Sequence, residues 1–381
     1  LLESFSSLMA QTLACLRGWH VALAQAELNA LIPQAEFTKL SPRLSSTPDD
    51  LGEQIITTLD CSSGIQCFLH DAHVVEYTPE NIRQFLDNVS VSLEDFAHRG
   101  SLAVRTLRIA GKIADFSTRT LAGQIGGIAT DLGYSINLDE PDYEVGLIAD
   151  GASNIVACGW LIGDFDDSIG TATRRATERP FFRPISLDPR LARLCVNLAC
   201  GPIDDQAVLD PMTGTGGFAM EAVTMGRNCL AVDMDDMMVT GTMENIAWAL
   251  SDKTAGADYQ VITGDACHLN RVVPDDWQGR ISGVVLDPPY GRNSHGSQSH
   301  NDLIKSTIMS CRRVVNETAR LVLIVPIKPT GSEEITLLHG NWDDFSRMLS
   351  KAGAELINQW QEHVHGSLSR LILLASVAPL D

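Results

Sequence analysis

The chain has 381 residues, with 28 Lys plus Arg against 48 Asp plus Glu, a formal charge of −20, and it is 44% hydrophobic and 20% charged. That length gives room for two or three compact domains, and the composition excludes a collagen-like or disordered chain. No stretch comes near the ~20 apolar residues of a membrane-spanning helix, no secretory leader is visible at the start, and the global acidity argues against a general polyanion binder.

In chain order, residues 1–75 read as a small α+β unit. A strand is predicted over 12–17, and a Gly18 break leads to a helix over 20–32 with Val21, Ala24, Leu28, Leu31 and Ile32 on one face, ended by Pro33. Residues 41–50, rich in Ser, Pro and Asp, read as a loop. A helix is predicted over 79–96, a half-buried strand over 102–109, a second helix over 121–132 and strands over 144–148 and 155–160. The acidic, glycine-containing run 164–172 is a candidate boundary.

From residue 207 the texture changes to short β-rich runs alternating with helical ones. Strands are predicted at 207–209, 229–232, 259–262, 283–286, 320–325, 355–360 and 371–376, with helices near 218–225, 237–250, 302–315 and 342–351. Such alternation implies an α/β, doubly wound, mostly parallel sheet. The last two strands have no helix between them and are expected to form an antiparallel edge pair.

Two basic islands stand out from the acidic background: residues 96–130 and 171–193 each carry a net +4. The nine cysteines include no CxxC pair and none has His at zinc-finger spacing. Buried free thiols in a reducing cytoplasm are expected, with no metal site. His295, His300, His363 and His365 are read as solvent-facing residues of polar loops.

Three segments carry chemistry. DPMTGTGG at 210–217, with Asp210, Thr213, Gly214 and Gly216, sits at a strand-to-helix turn where glycines let backbone N–H groups approach a ligand. Asp233 closes the next strand, where a carboxylate can accept hydrogen bonds from a ribose diol; Asp235 and Asp236 follow the same strand and are rival candidates. Asp265, in GDA at 264–266, follows the third strand and suits an adenine amino group, with Ala266 beside it. No Walker-type Lys-Ser/Thr follows the glycines, which argues against phosphate transfer. DPPYG at 287–291 follows the fourth strand. Its prolines, Pro288 and Pro289, donate no ladder hydrogen bonds and preset the turn. Asp287 and a free backbone carbonyl beside the Tyr290 ring suit an exocyclic amine on a planar base. A polar run at 292–301 is a candidate flap.

In this order and spacing, these motifs resemble the class I S-adenosylmethionine-dependent amino-methyltransferases. PFFRP at 180–184, LDPRLAR at 187–193, VNLA at 196–199 and VHGSLSR at 364–370 resemble more narrowly the archaeal tRNA (guanine-N2) methyltransferases acting at tRNA position 10. Residues 102–108, 121–133 and 137–142 look like the THUMP RNA-binding module of that family, and 12–32 like its preceding ferredoxin-like domain. The resemblance implies a ferredoxin-like domain over 1–75, THUMP over 76–165, a linker over 166–185 and a Rossmann-like methyltransferase domain with an antiparallel last strand over 186–381.

It also implies roles. Asp210, Thr213, Gly214, Gly216, Asp233, Asp265 and Ala266 would bind S-adenosylmethionine, with Phe182 and Arg183 closing its pocket. Asp287, Pro288, Pro289 and Tyr290 would handle the base. Arg105, Arg108 and Lys112, with Arg174 and Arg175, would form one tRNA-facing surface. A cytoplasmic monomer without metal or membrane contact is expected. Alternative readings are an amino-methyltransferase for another RNA guanine or for adenine-N6, or a non-catalytic RNA-binding protein.

Overall fold

The computed structural model describes residues 11–97, 99–165, 174–183, 186–251, 256–289, 300–329, 335–338 and 340–380. The chain forms two units, Leu1–Asp60 with Gly64–Asp167, and Cys61–Ser63 with Ser168–Asp381.

In the first unit β1 (Gln11–Leu16), α1 (Val21–Leu31), β2 (Thr38–Lys39), β3 (Leu44–Thr47) and α2 (Gln54–Cys61) precede a long strand β4 (Ile65–Glu76). Then come α3 (Pro79–Asp95), β5 (Ser101–Ile109), α4 (Thr118–Asp131), β6 (Ser135–Ile136), β7 (Tyr143–Asp150) and β8 (Ile155–Gly163). All eight strands join one sheet in the order β2-β3-β1-β4-β8-β7-β5-β6. β4 pairs antiparallel with both β1 and β8, so the sheet is continuous across residues 75 and 76. A register shift between His70 and His73, with Asp71 at φ 52°, breaks its alternation.

α3 starts at an N-cap Thr78 followed by Pro79, and α4 at an N-cap Ser117. Their apolar stripes, Phe85, Val89 and Leu93 with Leu121, Ile125 and Ala129, cover Leu102, Val145, Leu147 and Val156 of the sheet. The expected loop over 41–50 contains β3. Its Leu44, Ser45, Ser46 and Thr47 are buried because they pair with β1, and the Ser45 hydroxyl donates to Gln25 Oε1. Hydroxyl-rich composition reads as loop, but here backbone pairing and one side-chain acceptor satisfy the polar groups.

The second unit holds α5 (Pro189–Cys200), β9 (Ala207–Asp210), α6 (Gly217–Thr224), β10 (Asn228–Asp233), α7 (Asp236–Ala249), β11 (Tyr259–Thr263), β12 (Ile281–Leu286), α8 (His300–Cys311), β13 (Val315–Ile327), α9 (Trp342–Ala352), β14 (Ala354–His365) and β15 (Leu368–Val377). The sheet order is β11-β10-β9-β12-β13-β15-β14, with β9 to β13 parallel and β15 antiparallel to both neighbours. The expected antiparallel edge pair is present: the last two strands pair at one end of the sheet, β15 between β13 and β14 and β14 outermost. β15 is almost wholly buried, as a strand with neighbours on both sides must be, whereas β14 exposes most of its length. His363 and His365 are exposed on β14 rather than in a loop.

α5 was not expected as a helix. Asp188 caps it, Pro189 takes its first turn, and it is buried nearly all round, with Arg193 and Asn197 buried along with its apolar residues. Its Arg193 donates to Glu221 Oε2 at 2.9 Å, and Arg174 grips both oxygens of the same fully buried carboxylate at 2.8 and 3.0 Å. Arg174, expected at an RNA surface, is thus turned inward, because the buried Glu221 needs cations. All nine cysteines are free, and only Cys267 is not buried. No described helix is long and apolar enough to cross a membrane. Glu221→Ala leaves the cations of Arg174 and Arg193 without this carboxylate and should lower stability by about 3–5 kcal/mol, read as a fall in the thermal midpoint; an unchanged midpoint would show that the cluster is not structural.

Candidate active site

In the sheet of the second unit the chain leaves β9 in two directions, to β10 on one side and β12 on the other. Such a reversal opens a crevice at the carboxyl ends of the strands. The turn after β9 lies there. Gly214 and Gly216 have φ of 55° and 78°, a left-handed backbone that glycine adopts without strain, and Gly216 is the N-cap of α6. The turn is held from both sides. The N–H of Gly214 donates to Asp233 Oδ2 at 2.8 Å, and the N–H of Thr213 to the Val232 carbonyl at 2.9 Å. From α7, Thr242 Oγ1 donates to the Gly214 carbonyl at 3.0 Å, and a Cβ on Gly216 would lie 2.6 Å from Thr242 Cγ2.

A cavity of about 500 Å³ opens on this turn. Its walls bring together Arg183, Thr213, Gly214, Asp233, Asp265, Ala266, Asp287, Pro288 and Pro289, nine of the residues singled out in the sequence. Asp210 is buried and is not a wall residue. Phe182 is 43% exposed and is not a wall either; it is the neighbouring Phe181 ring that lies under the Arg183 guanidinium, 5.3 Å from its centroid. Tyr290 and most of the expected flap, residues 290–299, lie outside the described residues.

Of the three rival acids after β10, Asp233 and Asp235 reach the cavity and Asp236 does not; Asp236 meets the Thr263 hydroxyl instead. Asp235 is committed to capping α7, accepting from the Met237 N–H at 2.9 Å. Asp265 caps the 3-10 turn Ala266–Arg271, accepting from the Cys267 N–H, with the His268 ring 2.8 Å away. Partial burial opposes its charge, but the Cys267 N–H and His268 outweigh it and hold the carboxyl below its usual range.

Two acids are pushed the other way. Burial lifts Asp210 to about 8, against hydrogen bonding from Thr213 and aided by the charges of Asp233 and Asp287. Its Oδ2 has no hydrogen-bond partner. Burial lifts Asp287 to about 7; Arg370 pulls it down and Glu362 pushes it up. These two pair with each other on the β14–β15 hairpin at 3.3 Å. Asp287, a cavity wall with a raised value, is a candidate for chemistry at this site.

Leu187 and Met212, inside the quoted motifs, and Phe218, Met234, Met238 and Leu303, outside them, give the cavity apolar faces. Leu303 comes from α8, and nothing in its local sequence marks it.

Among the five arginine and lysine candidates for RNA, Arg105 is engaged with Glu144 at 2.6 Å and with the Leu138 carbonyl, and Arg174 with Glu221. Arg108 and Lys112 are exposed and, with Arg119 and the first residues of α4, line a second cavity of about 260 Å³ in the first unit. Arg175 is exposed.

A sheet of this order, with a glycine turn and strand-end acids on one cavity, defines a class I methyltransferase, and its cofactor is S-adenosylmethionine. Residues 176–339 match the model of the UPF0020 family, described as an RMKL-like methyltransferase domain. The chain is 28% identical to the tRNA (guanine(10)-N2)-dimethyltransferase of Pyrococcus abyssi, covering 79% of this chain and 82% of that one. It is 35% identical to the enzyme of that name from Methanothermobacter thermautotrophicus over 51% of this chain and 52% of that one. The solved structure of TrmN from Thermus thermophilus aligns with 96% of this chain and 100% of that one, at 18% identity and a TM-score of 0.47.

The residues present fit such a cofactor: a buried Asp210 oxygen lacks a partner, glycines leave the turn bare, and the cavity has apolar walls between acids. The raised Asp210 also makes a pH prediction. Between pH 3.8 and about 8 the folded chain holds a proton on Asp210 that the unfolded chain has released. Stability of the unliganded protein should therefore fall as pH rises through that window, by up to about 1.4 kcal/mol per unit from this group. Asp210→Asn should flatten the slope in urea titrations at pH 5 and 8; an unaltered slope would mean that Asp210 is ionised throughout.

Proposed function

We propose that this protein transfers methyl groups to the exocyclic N2 of guanosine 10 in tRNA, first one and then a second. The observation that carries the reading is that Asp287, Pro288 and Pro289 share one cavity wall system with the glycine turn and the acids closing β10 and following β11. The nucleotide is the one named for the relatives. S-adenosylmethionine, when bound, supplies a methyl group on a positive sulfonium.

In this reading the chain's own residues do the following. Gly214 and Gly216 leave room for the methionine portion, with Asp210 buried near the turn. Asp233 takes the ribose hydroxyls with the lone pairs left after its bond from Gly214. Asp265 and Ala266 hold the adenine, and Arg183 and Thr213 complete the walls. Asp287 and the Pro288 carbonyl accept hydrogen bonds from the guanine amine, which orients its lone pair; Tyr290, next in the chain, is the proposed stacking ring. Positioning contributes most of the acceleration in such a displacement. Asp287 then accepts the proton released from the amine, and its value of about 7 suits that exchange near neutral pH.

The first unit is assigned to RNA capture as a ferredoxin-like plus THUMP region. The exposed Arg108, Lys112 and Arg119 at the start of α4 are its proposed phosphate contacts, where the helix N-terminus adds partial positive charge. Free thiols throughout suit a reducing cytoplasm.

Asp287→Ala should reduce incorporation of labelled methyl into tRNA by at least about 10²–10⁴-fold while S-adenosylmethionine still binds in calorimetry. Mass spectrometry of tRNA digests should place N2-methyl- and N2,N2-dimethylguanosine at one nucleotide. Full activity in the variant, or methyl on adenine N6, would overturn the assignment. Charge reversal at Arg108 and Lys112 together should weaken tRNA binding and lower the slope of log affinity against log salt by about 1–2; affinity equal to wild type at every salt concentration would remove these residues from the interface.

A further inference from the structure

The stretch that brings Arg183 to the cavity has no regular secondary structure after its 3-10 turn Ala176–Glu178. Its place is set by α7. Asn245, with no exposed surface, accepts a hydrogen bond on Oδ1 from the Phe181 N–H at 3.0 Å and returns one from Nδ2 to the Phe181 carbonyl at 2.8 Å. The same Nδ2 donates to the carbonyl of Thr215, inside the glycine turn, at 2.9 Å. One amide therefore pairs with both backbone groups of a strap residue, as a neighbouring strand would, and ties them to the cofactor turn. The amide can do this in one orientation only, since a flip would set its donor against the Phe181 N–H.

Two neighbours on α7 act in the same sense. Gly241 makes room for the Phe181 ring: a Cβ there would lie 2.1 Å from Phe181 Cδ1. Thr242 holds the Gly214 carbonyl. Arg183 stacks on the Phe181 ring and donates to Met237 Sδ at 3.3 Å, again on α7. The strap and the turn are two walls of the cavity, and α7 sets their separation.

We propose that Asn245 is a positioning residue for the methyl-donor site: its side-chain amide ties the Phe181 backbone to the Thr215 carbonyl, so that Arg183 and the glycine turn keep the one spacing that grips the cofactor. The proposal rests on the reading of the cavity as an S-adenosylmethionine site. It implies an effect on binding of the donor rather than on the transfer step or on tRNA, because the tie lies behind the cofactor walls and not at Asp287.

The test compares Asn245→Asp with Gly241→Ala in the full-length protein. The first keeps the shape of the side chain but turns an oxygen toward two carbonyls. The second pushes the Phe181 ring away from α7 while leaving the Asn245 side chain unaltered, and keeps the proposal open to refutation if the first variant folds poorly. Both should raise the dissociation constant and the KM for S-adenosylmethionine at least tenfold and leave the KM for tRNA within twofold. Leu349→Ala, a core truncation in α9, serves as a control for lost stability; an equal loss of cofactor affinity in that variant would make the effect structural and overturn the proposal. Hydrogen exchange separates this failure from failure of the underlying reading. If exchange over 179–183 and 215–217 accelerates in both variants while wild type binds no S-adenosylmethionine, the tie stands and the cofactor assignment falls. Unchanged exchange together with unchanged cofactor affinity sinks the tie.

Discussion

A turn built of glycines has no side chains with which to hold itself, and the site of this protein depends on how that turn is held from outside. Two positive-φ glycines at 214 and 216 bring backbone to the cavity surface. Their freedom is an entropic liability unless other elements remove it. The carboxylate of Asp233 takes one N–H, the Thr242 hydroxyl takes one carbonyl, and Asn245 takes another. Each clamp comes from β10 or α7, the strand and helix that follow the turn, so the doubly wound order is what places them. The same Asp233 that is available to a ligand thus also fastens the loop against which the ligand would lie.

The second governing condition is the cost of carboxylates in a low-dielectric crevice. Asp210 and Asp287 are both lifted by burial, and each carries a different correction. Asp210 sits among acids and keeps one oxygen without a partner. Asp287 is moderated by the Arg370–Glu362 pair across the β14–β15 hairpin, a strand pair whose turn end lies at the carboxyl edge because β15 runs against its neighbours. The antiparallel insertion of β15 is therefore more than a fold signature: it carries a charged pair to the acid that the proposed chemistry uses.

Charge elsewhere shows why counting residues along a sequence is a weak guide to a binding surface. Both basic islands carry the same local excess. In the second island, Arg174 and Arg193 are consumed by Glu221, which is fully buried on α6. In the first, Arg105 is taken by Glu144 on the adjacent strand, whereas Arg108, Lys112 and Arg119 remain exposed together at the start of α4. A cation's availability is decided by which carboxylate folding brings to it.

The sequence by itself determined the features that depend on residues near one another: strand tips, the glycine turn, the acids that close β10 and follow β11, and the proline-stiffened end of β12. Each is a local rule about backbone freedom or hydrogen-bond donors, readable within about ten residues because turns and caps are satisfied locally. Tertiary structure alone decided what pairs at long range. It made a strand of Ser45–Thr47 through β1, buried α5 nearly all round, set β15 between β13 and β14, turned Arg174 onto Glu221 forty-seven residues away and brought Asn245 to Phe181 across sixty-four. Burial and partner choice are properties of the packed state, so no spacing or composition along the chain could have announced them.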